Sequence, residues 1–366
     1  MTSFEAGGTE KQMTELIQRL DPRRFTVHAV CFRRTGAYVP RVLERAASVI
    51  EFPVRGFARM ETLRQMARFA RWCRRERIAI VQTCDFYSNV FGLPGAFLGG
   101  VGVRIGSRRE LNPDKTAAQI RLQRLAYRCA TRVVANSPSA ARMLSDEGVP
   151  QAHVSVIPNG LDGALFSDRT VRGPIRRVVT VANLRPEKSH ETLIVAASLL
   201  AQSCPELRYR IVGDGSRRHE LEALARIKGV DRIVEFAGHR DDVPAVLAAS
   251  DLFVLPSRSE AFPNGVIEAM AAGLPVVASA VGGLRDLIDP GRTGILVPAE
   301  DPQLLAAALK GLYEDPERAW EIGAAARAEV LARYSFERMI GAFADLYRSE
   351  LREHPLERPQ EAQAGV

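Results

Sequence analysis

The chain has 366 residues, of which 46% are hydrophobic and 25% charged. This is ordinary globular composition, and the length allows two α/β domains with sizeable cores. No apolar run approaches the roughly 18 residues of a membrane span, and the first residues lack the apolar core of a signal peptide. Five dispersed cysteines, without a CxxC pair, exclude a disulfide framework and a zinc site and predict free thiols in a reducing cytoplasm.

The net charge of +7 is unevenly distributed along the chain. Residues 1–170 carry 26 Lys and Arg against 15 Asp and Glu (+11), and the remainder carries 24 against 28 (−4). Much of the excess lies in the helical stretch 55–78, on Arg64, Arg68, Arg71, Arg74 and Arg75. These arginines form either a solvated helix face or a surface that attracts anionic lipid or a lipid-diphosphate acceptor. No nucleic-acid-binding motif is present, so we expect no nucleic-acid partner.

The chain begins almost directly with a glycine loop, Gly7-Gly8-Thr9-Glu10, before an amphipathic helix near 9–20. A doubly wound α/β domain should begin with a buried strand. We therefore expect the first strand of the N-terminal sheet to be missing, either because the assigned start is late or because the chain is cut. The glycine pair alone is also compatible with an ordinary turn.

Strand-like and helical segments then alternate, which predicts a parallel sheet with right-handed crossovers. Predicted strands are 24–32, 48–54, 78–85, 103–108, 132–137 and 154–158, and helices lie near 38–47, 59–76, 88–99, 115–130 and 138–147. Asp85 stands at the carboxyl end of strand 78–85. There it can face a ligand crevice or merely cap the next turn, and both interpretations stay open.

A polar run at 167–176 with Gly173-Pro174 predicts a linker between an N-terminal domain, 1–166, and a C-terminal domain, 177–334. Predicted strands of the second domain are 177–183, 208–213, 233–238, 251–256, 275–279 and 294–298. Helices are predicted at 301–314, 316–331 and 335–351, followed by a mobile tail, 352–366. Two α/β halves joined by one linker predict a ligand cleft between them.

The stretch 251–279 reads as strand, irregular loop, short helix and strand. Asn264 is an acceptable N-cap for the helix, with Gly265 after it and Phe262 in the loop before it. A helix N-terminus is an anion site suited to a diphosphate. Glu268, one turn inside the helix, could accept the hydroxyls of a ribose, and Glu260, in the loop, those of a second sugar. Two glutamates at this spacing carry little weight without their neighbours.

Those neighbours resemble one family. The segment SEAFPNGVIEAMAAGLPVVAS (259–279) looks like the signature of retaining, nucleotide-sugar-dependent glycosyltransferases of family 4, which have the GT-B fold. The resemblance extends to VIPNGLD (156–162), VANLRPEKSH (181–190), IVGDG (211–215) and AGHRDDV (237–243). It implies two Rossmann-like domains facing a central cleft, with a last helix that crosses back to the N-terminal domain.

The resemblance also implies residue roles. Glu268 would hold the nucleotide ribose. Glu260 would hold the donor sugar and Arg185 and Lys188 the diphosphate, and these three residues would be the catalytic groups. The turn Gly213-Asp214-Gly215 would lie near the donor phosphates or sugar, and Arg240 would belong to the base pocket through main-chain atoms. Gly7 and Gly8 would approach the diphosphate and the acceptor. No histidine stands at the end of strand 78–85, so no catalytic histidine is assigned.

The predicted activity is transfer of a sugar from a UDP- or GDP-linked donor to the hydroxyl of a glycan or lipid-linked acceptor, with retention and without a metal. We expect this reaction in bacterial surface polysaccharide or lipid-linked glycan synthesis, in the cytoplasm or at the inner face of the plasma membrane. Two alternatives are a nucleotide-sugar epimerase and an inactive nucleotide-sugar-binding subunit.

Overall fold

The computed structural model describes residues 1–57, 59–111, 115–166 and 173–355. The chain forms two compact units. The first unit comprises residues 1–136, 141–157 and the chain from Met339 onward, and the second comprises 137–140 and 158–338. Most of the predicted linker (167–172) and most of the predicted tail (356–366) lie outside the described residues.

The described residues of the first unit form six strands and the helices between them. Its strands are β1 (His28–Cys31), β2 (Ser48–Glu51), β3 (Ile80–Gln82), β4 (Val103–Arg108), β5 (Arg132–Ala135) and β6 (Val154–Val156). Its helices are α1 (Gly8–Arg19), α2 (Val39–Arg45), α3 (Met60–Arg75), α4 (Phe86–Leu98) and α5 (Ala117–Tyr127), together with most of α6 (Pro138–Asp146) and most of α14 (Phe336–Glu353).

All ladders in this unit are parallel, as predicted, but they form two separate sheets. β3, β4, β5 and β6 pair in that order, while β1 pairs with β2 and with no other strand of the described residues. Residues 1–4 run beside the end of β1: the Met1 ammonium donates to Val30 O at 2.8 Å, and Phe32 N donates to Met1 O at 3.2 Å. No strand is assigned before β1 in the described chain.

Aromatic side chains pack the interior next to β1 and β2. Phe52, Phe69, Trp72 and Phe91 are buried and meet mostly edge to face or tilted, with ring centroids 5.4–6.4 Å apart. Such aromatic pairs bury much apolar area, and their edge-to-face contacts add a favourable interaction energy. They hold α3 and α4 to this part of the first unit.

The second unit contains one six-stranded parallel sheet. Its strands are β7 (Arg177–Val181), β8 (Arg208–Val212), β9 (Val234–Gly238), β10 (Leu252–Leu255), β11 (Val276–Ser279) and β12 (Ile295–Val297). Its helices are α7 (His190–Leu200), α8 (Arg218–Ile227), α9 (Val243–Ala248), α10 (Asn264–Ala271), α11 (Gly282–Leu287), α12 (Pro302–Glu314) and α13 (Pro316–Arg333). β10 and β11 are buried at every position, as the short apolar runs predict for strands covered on both faces.

The strand order of this sheet is β12-β11-β10-β7-β8-β9. The chain therefore moves outward from β7 in one direction and then returns to start again at β10, on the other side of β7. In open α/β sheets this reversal opens a crevice outside the carboxyl ends of the two strands. Residues that follow β7 and β10 thus face the ligand position of the fold.

Several predicted strands of the first unit, among them 48–54 and 78–85, are longer than those in the structure, and one predicted helix cap differs. The predicted strand 24–32 is shorter, because Phe25 N donates to Asp21 O in a turn and only His28–Cys31 pairs with β2. Asn264 is the first residue of α10 and not its N-cap, which is Pro263.

No helix in the described ranges is long and apolar enough to cross a bilayer. All five cysteines are free, as predicted.

Candidate functional site

The loops after β7 and β10 meet through an ion pair. Lys188 Nζ lies 2.6 Å from Glu260 Oε1, and Ser257 Oγ donates to the same carboxylate oxygen at 2.7 Å. Glu260 is only 6% exposed, and the Lys188 side chain is 22% exposed. The structure therefore brings together two of the predicted catalytic residues, at the point where the strand order reverses.

The N-terminus of α10 approaches the same edge of the sheet. A Cβ on Gly265 would lie 2.8 Å from the carbonyl oxygen of Val181, the last residue of β7, so glycine is needed for this close packing. The Asn264 carboxamide accepts a hydrogen bond from Asn159 Nδ2 at 2.6 Å instead of capping the helix. Asn159 belongs to VIPNGLD, so that segment helps to fix the helix N-terminus.

Three glycine turns let backbone segments approach at this edge. Gly213 has a φ of +139°, and a Cβ there would collide with the carbonyl of Ala182. A Cβ on Gly215 would lie 2.6 Å from Leu184 O. Gly283 N donates to Glu260 O at 2.8 Å, and a side chain on Gly283 would collide with Ala261 O. The glycine turns therefore hold the loops after β7 and β10 in place.

Glu268 lies on α10, one turn after Asn264, and is 9% exposed. Its position on a short helix that begins at the strand-order reversal matches the expected geometry. The ribose-binding role is a prediction that rests on the resemblance.

The other residues predicted to bind the sugar donor lie in the second unit, where their side chains are exposed or contact other residues. Arg185 is an exposed residue that begins the short turn Pro186–Lys188. Asp214 Oδ1 accepts from Gly215 N at 2.8 Å and stabilises its own turn. Arg240 forms a two-pronged ion pair with Asp242, with bonds of 2.7 and 2.6 Å, at the surface. Phe262 packs edge-on against Tyr334, with ring centroids 5.4 Å apart.

The predicted residues of the first unit lie at its carboxyl sheet edge and at the start of α1. Gly7 is the N-cap of α1, Gly8 is its first residue, and the Glu10 carboxylate folds back beside Gly7. Burial, and to a smaller degree the Asp85 charge, raise the pKa of Glu10. Asp85 caps α4 by accepting from Ser88 N at 2.7 Å, and Ser88 completes the capping box. Of the two interpretations of Asp85, the structure therefore shows the cap.

Sequence reasoning missed three supporting residues: Ser257, Asn159 and His190. His190 is fully buried at the start of α7, and its Nε2 lies 3.1 Å from Asn183 O. Desolvation lowers the pKa of His190 to about 4, so the ring is neutral at physiological pH. Its place in VANLRPEKSH was the available signal, but the sequence does not show that this imidazole is buried.

No group of three or more His, Cys, Asp or Glu side chains is placed to hold a metal within the described ranges. In the second unit, the predicted site consists of an ion pair, the further carboxylate of Glu268, glycine turns and a helix N-terminus. Such groups can bind an anionic, hydroxyl-rich ligand.

Curated relatives share this chain's sequence over different lengths. A D-inositol 3-phosphate glycosyltransferase from Corynebacterium kroppenstedtii is 33% identical over 60% of this chain and 51% of its own length. The chain thus spans about half of that relative. A protein of the same name from Streptomyces scabiei is 27% identical over 96% of this chain and 88% of its own.

Among solved structures, Anabaena HepE in complex with UDP-glucose superposes with a TM-score of 0.84 at 24% identity, covering 95% of this chain and 98% of that protein. The likeness shows the same fold, GT-B. The family description "Glycosyltransferase Family 4" matches residues 6–164, and "Glycosyl transferases group 1" matches residues 175–315. These two matches cover most of both units, and the chain belongs to glycosyltransferase family 4.

Proposed function

We propose that this protein transfers a glycosyl group from a nucleotide diphosphate sugar, UDP- or GDP-linked, to the hydroxyl of a glycan or lipid-linked acceptor. We further propose that the anomeric configuration is retained and that no metal is required. The observation that carries the proposal is the Lys188–Glu260 ion pair beside the N-terminus of α10. Its position after β7 and β10 is where open α/β sheets bind ligands.

In the proposed reaction, charge develops on the departing nucleoside diphosphate. The Lys188 ammonium and the positive end of the α10 helix dipole offset this charge, and Arg185 is exposed and able to add a further donor. Glu260 exchanges its bond with Lys188 for the hydroxyls of the donor sugar. Glu268 accepts the hydroxyls of the ribose. Because both glutamates bind the donor, neither is assigned as a hydrolytic acid or base.

The first unit is proposed to bind the acceptor. Arg64, Arg68 and Arg71 are exposed on α3, next to the exposed Leu63 (56%) and Met60 (69%). An apolar edge flanked by arginines suits the surface of an anionic membrane, where a lipid-linked acceptor would lie. Curated relatives include a putative colanic acid biosynthesis glycosyltransferase of Salmonella typhimurium, which favours a bacterial surface glycan as the product.

The decisive experiment is thermal unfolding with UDP, GDP, ADP and UDP-glucose, on the wild type and on Glu268→Ala. A ligand at about 100 times its Kd adds roughly 2.7 kcal/mol to the native state. Stabilisation by one nucleotide, lost in Glu268→Ala but kept in the matched helix-surface variant Glu314→Ala, would support the donor site and identify its base. A cooperative transition that no nucleotide shifts would contradict it.

Turnover separates the proposal from its two rivals. A transferase consumes the nucleotide sugar only when an acceptor is present, and NMR of the product shows whether the anomeric configuration is retained. An epimerase converts the donor without an acceptor. A binding subunit shows nucleotide stabilisation but no product. Transfer that persists in EDTA would support independence from a metal.

A further inference from the structure

Arg258 lies in the loop after β10, two positions before Glu260. Its side chain is 37% exposed, yet all three guanidinium nitrogens donate hydrogen bonds. Nε lies 2.7 Å from Glu300 Oε1, and Nη2 lies 2.7 Å from Glu191 Oε1. Nη1 donates to the carbonyl oxygen of Pro186 at 3.0 Å. These bonds fix the guanidinium in one orientation against the loop after β7.

The main chain of Arg258 binds the same loop. Arg258 N donates to Glu187 O at 2.8 Å, next to the bond that the side chain makes to Pro186 O. Two hydrogen bonds thus join Arg258 to the two residues that precede Lys188. A guanidinium group suits this task because its donors lie in a rigid planar fork. The backbone of Lys188 is therefore tied to the loop that carries Glu260.

Glu191, in the first turn of α7, connects Arg258 to a second arginine. Its Oε1 accepts from Arg258 and its Oε2 accepts from Arg217 Nη1, each at 2.7 Å. Arg217 N also donates to Leu184 O at 3.3 Å. The side chains of Glu191 and Arg217 are only 23% and 15% exposed, so salt screens their ion pair less than an exposed one. The loop after β7 is thus attached at Leu184 as well as beside Lys188.

The residue after Lys188 shows that this loop depends on such contacts. Ser189 is fully buried and has a φ of +51°, a left-handed conformation that residues other than glycine seldom adopt. A backbone of this kind persists only where its surroundings hold it. Ser189 N donates to Pro186 O, the carbonyl oxygen that Arg258 also binds. Arg258 therefore acts on the turn that carries Lys188.

We propose that Arg258 is a positioning residue for sugar transfer: it holds Lys188 at the donor site when Glu260 binds the donor. This inference rests on the proposed function, in which Glu260 exchanges its bond with Lys188 for the hydroxyls of the donor sugar. Once that bond is gone, the position of the flexible lysine side chain depends on its backbone. Arg258 fixes that backbone, so the ammonium stays where charge develops on the leaving diphosphate.

The test measures nucleotide affinity by calorimetry, because binding of the donor does not require the acceptor. The probes are UDP with UDP-glucose, and GDP with GDP-mannose. Only the sugar draws Glu260 away from Lys188, so Arg258→Gln should raise the Kd of the nucleotide sugar about tenfold and that of the diphosphate less than about threefold. An equal rise for both would overturn the proposal.

A double-mutant cycle shows whether Arg258 acts through Lys188. In the Lys188→Ala background, Arg258→Gln should change the Kd of the nucleotide sugar by less than about threefold. Full additivity of the two substitutions would overturn the proposal. Arg210→Gln is the matched control, because Arg210 also binds a glutamate, Glu235, at 2.8 Å but lies exposed on β8. It should leave all four affinities unchanged.

Arg258→Lys separates the directed bonds from the charge. Lysine keeps the charge but lacks the planar fork, so we expect it to behave like Arg258→Gln. Wild-type affinity in Arg258→Lys would overturn the proposal, since charge alone would then suffice.

Amide exchange in the ligand-free protein distinguishes positioning from a general loss of stability. In Arg258→Gln the amides of Lys188 and Ser189 should exchange at least about tenfold faster, with exchange in β7 and β10 unchanged. Faster exchange throughout the second unit would overturn the proposal. A wild type that binds none of the four probes would overturn the proposed function and this inference with it. Wild-type binding that Arg258→Gln leaves unaltered would overturn this inference alone.

Discussion

Lys188 and Glu260 lie 72 positions apart in the sequence, yet their Nζ and Oε1 atoms are 2.6 Å apart. Each residue follows one of the two central strands of the second sheet, β7 and β10. Both are partly or largely buried, so the pair is held in a fixed position and little screened by solvent. This arrangement places a cation and a carboxylate at the proposed donor site before any ligand arrives.

We expect Lys188→Ala to lower kcat for sugar transfer by about 10²–10³, the usual loss for one transition-state donor. The variant also leaves the buried Glu260 without its cation, so some loss of stability should accompany it. Lys310→Ala is the matched control, because Lys310 is an exposed lysine paired with Glu314 on α12. Steady-state kinetics with saturating donor decide the question; an unchanged kcat would remove Lys188 from the proposed mechanism.

A substitution at Gly213 tests the close backbone approach after β8. Gly213→Ala places a methyl group against the Ala182 carbonyl at a φ of +139°, and we expect a loss of at least about 2 kcal/mol in the free energy of unfolding of the second unit. Gly311→Ala is the counterpart, because Gly311 lies inside α12 with open space around it. That variant should gain about 0.5–1 kcal/mol. Urea unfolding of both variants measures the difference, and equal effects would contradict the expected crowding.

His190 should make stability depend on pH. Its pKa is about 4 in the folded protein against an ordinary 6.5. Between these two pH values the imidazole is therefore protonated in the unfolded chain but neutral in the folded protein. The contribution of the neutral His190 to the free energy of unfolding is complete above pH 6.5. It is lost as the pH falls toward 4, by up to about 1.4 kcal/mol per pH unit. Urea unfolding across this range should show a shallower fall for His190→Gln. His239→Gln, at an exposed site, should keep the wild-type slope.

Arg240→Ala should leave nucleotide affinity within about threefold of the wild type, because the side chain is held by Asp242 at the surface. The resemblance assigns this position a role through its main chain, which the substitution preserves. Titration of the nucleotide by calorimetry checks this. A loss of tenfold or more would show that the guanidinium leaves Asp242 to bind the donor.

The order and type of the elements could be predicted because each carries a local signal. The apolar runs Leu252–Leu255 and Val276–Ser279 are strands, and the helix predicted at 335–351 is α14. The fold class followed from the alternation of these elements. Their ends were less certain, because hydrogen bonds to distant residues decide where a strand stops pairing.

The contacts of the candidate site could not be predicted from local patterns. Asn264 looked like an N-cap, but a partner 105 positions away, Asn159, binds its side chain. The sequence also did not show that the amide of Gly283 binds the carbonyl of Glu260. Such contacts depend on which loops the sheet order brings together, and a single sequence does not encode that order in any one segment.

The C-terminal helix has a consequence for synthesis. Within the first unit, Glu350 on α14 is fully buried and accepts from Arg132 Nε at 2.7 Å, and Tyr347 donates to Gln82. A ribosome makes Gln82 and Arg132 long before it makes their partners. The first unit therefore cannot complete its packing while the second is being translated, although its own strands come first. We expect the nascent first unit to stay open to chaperones and proteases until α14 emerges.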